Sequence, residues 1–157
     1  MEELIRTFYT AFGKQDAEQM VACYHDEVSF TDPGFGTIKG ERAKNMWRML
    51  CQSARDLSVE SSNIKVDEEK GTAHWEAIYT FSQTGRKVHN KIDAEFKFKD
   101  GKIIEHIDTF DLHAWAKQSL GFKGWLLGGT QFFKKKLQQQ TNRMLDRFEK
   151  KKGNGGN

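Results

Sequence analysis

Residues 96–111 read FKFKDGKIIEHIDTFD. Two alternating runs flank Asp100-Gly101, and Asp-Gly between such runs is a strong hairpin signal. Phe96 and Phe98 fall on one face of the first run, with Lys97 and Lys99 on the other. In the second run Ile104, His106, Asp108 and Phe110 share a face, opposite Ile103, Glu105, Ile107 and Thr109. If the first set points inward, an imidazole and a carboxylate stand about 7 Å apart by Cα on the covered side of a sheet. If the second set does, Ile103 and Ile107 are core, and His106 and Asp108 form a structural pair on an exposed face.

Working outward, the same two-residue period continues. Val88, Asn90, Ile92 and Ala94 extend the apolar face against His89, Lys91, Asp93 and Glu95. In GTAHWEAIYTF, residues 71–81, the set Ala73, Trp75, Ala77, Tyr79 and Phe81 opposes Thr72, His74, Glu76 and Thr80, with Ile78 the exception. SQTGRK reads as a hairpin turn, and LSVESSNIKV, closed by DEEKG, as a further strand. Together these make an antiparallel meander with one apolar face. The first third has the helical period instead. Leu4, Ile5, Phe8, Tyr9 and Phe12 form one amphipathic helix; AEQMVACYHDE forms a second after Asp16; a third starts at Gly40-Glu41 with Met46, Trp47 and Leu50 buried. Between the last two, the short strand VSFTD ends at Pro33, the only proline, in a glycine-rich turn. Helices followed by a sheet they must cover indicate an α+β domain.

Past Phe110 the chain is helical again. DLHAWAKQSLG is one helix with Asp111 near its N-cap and Gly121 at its end, WLLGGT is a loop, and a long helix runs from Thr130 through KKK. In that helix Phe133, Leu137, Met144 and Phe148 form an apolar stripe interrupted by Gln140 and Thr141. Residues 1–116 hold 15 Lys/Arg and 20 Asp/Glu, a balance of −5, while residues 117–157 hold 10 and 2, a balance of +8. The basic tail has three readings: packing on its own domain or a second subunit, a lid over a pocket, or contact with an anionic membrane surface. The first ranks ahead of the others, and no nucleic-acid module accompanies the charge, so nucleic acid is not an expected partner. No run is long enough for a membrane span, and the N-terminus is too acidic for a signal peptide. Cys23 and Cys51 match no metal spacing and read as reduced core thiols of a cytoplasmic protein.

The layout carried by FYTAFGKQD, MVACYHDEVSFTDP, the KG before the third helix and FKFKDGKIIEHIDTFD resembles the NTF2-like superfamily, with its SnoaL-like and ketosteroid isomerase-like members. The resemblance implies a cone: a curved antiparallel sheet packed on three N-terminal helices over residues 1–113. Residues 114–150 are then a C-terminal helical extension, and 151–157 a disordered basic, glycine-containing tail. It implies a small apolar carbonyl or ring ligand, no cofactor, no metal, and a homodimer through the sheet. The family fold also hosts proteins without chemistry, so non-catalytic binding or interaction stands as the alternative.

The resemblance places a general base at Asp32, in the strand–Asp–Pro context, although Asp-Pro-Gly also makes a good turn on its own. The isomerase tyrosine position falls on Phe8, with Tyr9 one residue away. Counting back from Gly101 puts the isomerase's second aspartate at Asp93, whereas alternation turns Asp93 outward and Ala94 inward. His106 and Asp108 are therefore the expected replacements, acting with Asp32 as acid, base or orienting pair. The expected pocket wall is Phe8, Tyr9, Phe12, Tyr24, Phe30, Phe35, Trp47, Trp75, Tyr79, Asn90 and Phe110. An epoxide hydrolase of this fold needs an Asp-Arg-Asp set, and no arginine lies on the expected pocket strands.

Overall fold

A computed structural model of the chain describes residues 1–155. The elements run α1 (Glu2–Gly13), α2 (Ala17–Ala22), β1 (Tyr24–Asp32), β2 (Gly36–Lys39), α3 (Glu41–Ser53), β3 (Ser58–Val66), β4 (Lys70–Phe81), β5 (Arg86–Lys99), β6 (Lys102–Thr109), α4 (Leu112–Leu120), α5 (Phe122–Leu127) and α6 (Gln131–Asn154). One curved, open sheet has the order β2-β1-β6-β5-β4-β3. β3 to β6 form the expected antiparallel meander. β1 lies parallel to β6, so the sheet as a whole is mixed rather than antiparallel.

The hairpin signal holds: Asp100 and Gly101 both take positive φ, 52° and 73°, as a type I′ turn requires. On β5, Val88, Ile92, Ala94 and Phe96 are buried while Asp93 is exposed, so alternation rather than counting gives the inward residue. On β6 the alternation is broken by a bulge, where Lys97 faces Glu105 but Phe98 faces Ile103. The bulge absorbs Ile104. Ile103 and His106, three apart, both turn inward, and Ile104 is only half-buried, contrary to its expected place beside His106.

Several boundaries differ from the sequence reading. α2 stops at Ala22, and Tyr24–Glu27 are strand, because Tyr24 pairs with Ile103 and the pairing overrides the helical pattern. The glycine turn after Pro33 returns as β2, paired to β1 through Asp32 and Gly36. WLL is helix α5 rather than loop. Asp111 and Gly121 do cap α4 as expected. α6 continues through Lys151–Asn154, which therefore do not belong to a disordered tail; residues 156 and 157 lie outside the described residues.

α1 and α3 fill the concave side of the sheet with Ile5, Phe8, Tyr9, Phe12, Met46 and Trp47. Burying each such side chain contributes about 1.5–3 kcal/mol before entropy. α6 adds Leu145, which is fully buried against this core, whereas Met144 is exposed. Leu145 therefore takes the place of Met144 in the expected stripe. Leu145→Ala should cost about 2–5 kcal/mol in chemical unfolding. A loss below about 1 kcal/mol would mean that α6 does not pack on the cone.

Candidate functional site

The inward residues of β1, α3, β4 and β6 form one chain of hydrogen bonds. Trp47 Nε1 donates to Tyr24 Oη at 2.8 Å, and Tyr24 Oη lies 2.8 Å from His106 Nδ1. His106 Nε2 lies 2.9 Å from Asp108 Oδ1, which also accepts from Trp75 Nε1 at 3.3 Å. An indole nitrogen can only donate. The arrangement that leaves no proton unmatched has Tyr24 donating to a neutral Nδ1 and Nε2–H donating to an ionised Asp108. Both His106 and Asp108 are buried, and rings of Phe8, Phe30, Trp47 and Phe96 lie within 6.1 Å of the imidazole, centroid to centroid. Burial, then the Asp108 charge, holds the Tyr24 hydroxyl well above the ordinary tyrosine range, so it stays protonated.

Asp32 stands where β1 turns. Its Oδ1 accepts the Phe35 backbone N–H at 2.6 Å, so it does cap its own turn. Burial nevertheless lifts its carboxyl from the ordinary 3.8 to about 7, against the lowering effect of the Phe35 N–H, and the Asp108 charge adds to the rise.

The turn is covered by α6. Gln138 Nε2 donates to Pro33 O at 3.2 Å, Thr141 Oγ1 to Gly34 O at 2.8 Å, and Asn142 Nδ2 to Phe35 O at 3.0 Å. These polar side chains sit in the helix stripe because the turn presents carbonyls rather than apolar groups. At Gly36, φ is +74°, and an added Cβ would meet Gln138 Oε1 at 3.3 Å, so glycine allows both the turn and the close approach. Arg42 of α3 fixes the far end through Glu149 at 2.7 Å and Asp146 at 2.9 Å. The sequence reading missed Gln138 and Asn142; the signal for them was the polar interruption of the α6 stripe.

Tyr9 is also buried, and it packs against Phe8, Trp75 and Phe96. Its hydroxyl is the buried side-chain polar atom without a hydrogen-bond partner among the described residues. Burial first, then Asp108 and Tyr24, keeps it protonated. Of the remaining expected wall residues, Phe12 packs on Trp47 and Trp75, and Phe35 and Phe110 pack partly buried on the core. Tyr79 lies toward α4, accepting from Trp115 Nε1 at 2.8 Å, and Asn90 is half-buried on β5. The structure thus brings seven expected residues together around His106 and Asp108: Phe8, Tyr9, Phe12, Tyr24, Phe30, Trp47 and Trp75.

No curated protein matches the chain. Solved structures do. TerC, co-crystallised with polyporic acid, superposes with a TM-score of 0.63 at 18% identity, covering 74% of this chain and 95% of TerC. A protein of ketosteroid isomerase-like fold from Catenulispora acidiphila DSM 44928, in complex with trimethylamine, gives 0.66 at 12%, covering 74% and 92%. An epoxide hydrolase of LEH-like type from M. tuberculosis gives 0.60 at 21%, covering 80% and 89%. At these identities the likeness is one of fold. Residues 5–106, which span α1 through the His106 position of β6, match the SnoaL-like domain, and the chain belongs to that family.

Proposed function

We propose that the cone binds a small apolar molecule bearing one acceptor oxygen, with Asp32 exchanging a proton with it. The carrying observation is the Tyr9 hydroxyl, a buried donor with no acceptor among the described residues. Leaving such a group unpaired costs about 1–3 kcal/mol, which an incoming carbonyl or enolate oxygen would recover. Asp32, raised to about 7, is divided between acid and base near neutral pH, as general acid–base catalysis favours. In this reading Asp32 takes a proton from carbon next to the carbonyl, the enolate oxygen accepts the Tyr9 O–H hydrogen bond, and Asp32 returns the proton. His106 orients Asp108 and Tyr24 rather than meeting the ligand, since both its nitrogens are engaged. No cofactor is needed for these steps. The ligands held by TerC and the Catenulispora protein support a small-molecule role for the fold.

Non-catalytic binding is the second reading, favoured by one specific feature: the Asp32 carboxylate already accepts from its own turn. Deuterium exchange into cyclic ketones or polyphenolic ketones, followed by NMR, separates the two. Turnover predicts exchange that Asp32→Asn abolishes while binding persists; binding alone predicts saturable thermal shifts that Asp32→Asn leaves intact. Tyr9→Phe should weaken a bound carbonyl ligand about tenfold, while leaving stability unchanged or raising it by about 1 kcal/mol. Unchanged affinity, measured by titration calorimetry, would remove Tyr9 from the site. The proposal also includes a homodimer through the sheet's outer face, where His74 bonds Asp93 and Glu76, and Glu76 bonds His89.

A further inference from the structure

From the end of β6 to the start of α6, the chain exposes its largest apolar side chains. Phe122 is 73% exposed, Trp125 51%, Leu126 59%, Leu127 46% and Phe132 66%. Phe122, Trp125 and Leu126 are spaced i, i+3, i+4 on α5, and the Phe122 and Trp125 rings lie 5.7 Å apart. Their position is fixed from below. Gly124 and Gly128 are buried against α4, where a Cβ on Gly124 would fall 1.8 Å from Ala116 O and one on Gly128 2.5 Å from Ala116 Cβ. α5 is therefore pressed onto α4 by its glycines, and its bulky side chains have no place to turn but outward. An exposed apolar cluster of this kind marks an interaction surface.

The charge around it selects the partner. Residues 112–136 contain five lysines, Lys117, Lys123, Lys134, Lys135 and Lys136, and no aspartate or glutamate. Lys136 Nζ lies 5.7 Å from the Phe132 ring centroid, so cation and aromatic face stand together. A second copy presenting the same patch about a twofold axis would oppose lysine to lysine. An anionic bilayer surface meets both features: aromatic and leucine side chains enter the headgroup boundary, and lysines meet lipid phosphates and carboxylates. No helix among the described residues is long and apolar enough to cross a membrane, so the contact is with the surface.

We infer that α5 and the first turns of α6 dock the protein on anionic lipid surfaces through Phe122, Trp125, Leu126, Leu127 and Phe132, with Lys123 and Lys134–Lys136 supplying the charge. This stands independently of what the cone binds. The test is co-sedimentation of the full chain with vesicles of phosphatidylcholine and phosphatidylserine, beside vesicles of phosphatidylcholine alone. Binding to the anionic vesicles only, weakened by added salt, is the expected result. Replacing Lys134, Lys135 and Lys136 with glutamine should lower the partition coefficient about a hundredfold. Trp125→Ala with Phe132→Ala should also release the protein. Apart from half-buried Lys134, both variants alter exposed positions, and circular dichroism confirms that each is folded before it is scored. Equal binding to both vesicle types, or none to either, overturns the inference. So does concentration-dependent self-association that the same substitutions abolish, since the patch would then belong to a second copy.

Discussion

Replacing His106 with leucine should destabilise the fold by about 3–5 kcal/mol. The volume is nearly conserved, so the loss comes from stranded polar groups. Asp108 would keep only the Trp75 indole N–H, at 3.3 Å, and the Tyr24 hydroxyl would lose the acceptor now 2.8 Å away. A buried carboxylate left this way is the expensive case, whereas removing both members of a buried pair is often far milder. The double change His106→Leu with Asp108→Leu should therefore destabilise much less than the sum of the single changes. Urea unfolding of the single and double variants measures the coupling directly. A single-variant loss below about 1 kcal/mol would mean that the chain from Trp47 to Trp75 is not a tightly packed network.

Asp32→Asn is expected to act in the opposite sense, and only above the unfolded value of 3.8. Asparagine keeps an oxygen for the Phe35 N–H but has no proton to lose. In the native protein Asp32 holds its proton up to about 7, whereas the unfolded chain releases it near 3.8. Stability from this group is thus fully present below the unfolded value and is lost as pH rises through about 7. The deficit at alkaline pH is at most about 4 kcal/mol, taken from the separation of the two values. The asparagine variant should equal the wild type below about 3.8, gain on it progressively as pH rises to about 7, and hold a constant excess above that. Unfolding midpoints of both proteins across that range give the answer, and parallel profiles would contradict it.

Much of this was legible from the sequence because the signals were local. Alternation in β4 and β5 gave the inward faces, Asp100-Gly101 gave the hairpin, and Asp111 and Gly121 gave the limits of α4. Alternation put His106 and Asp108 on one shared face and the family resemblance chose the inward side, even though the bulge exchanged Ile104 for Ile103 beside them. What failed depended on distant partners. Tyr24–Glu27 carry a helical pattern and become strand because β6 lies beside them. WLLGGT reads as a loop, yet WLL is helical in α5, which Gly124 and Gly128 let press on α4. The covering of the Pro33–Phe35 turn by Gln138, Thr141 and Asn142 joins residues more than a hundred positions apart. No local period reports such a contact, and only the polar break in the α6 stripe hinted at it.

The proposed function rests on the burial of Asp32, which lifts its carboxyl to about 7. The direct measurement is the titration of the Asp32 side-chain carboxyl carbon by NMR, with Asp32→Asn used to assign the resonance. A midpoint at about 7 is the predicted result. A midpoint near the ordinary 3.8 would contradict the account and leave Asp32 as a turn residue.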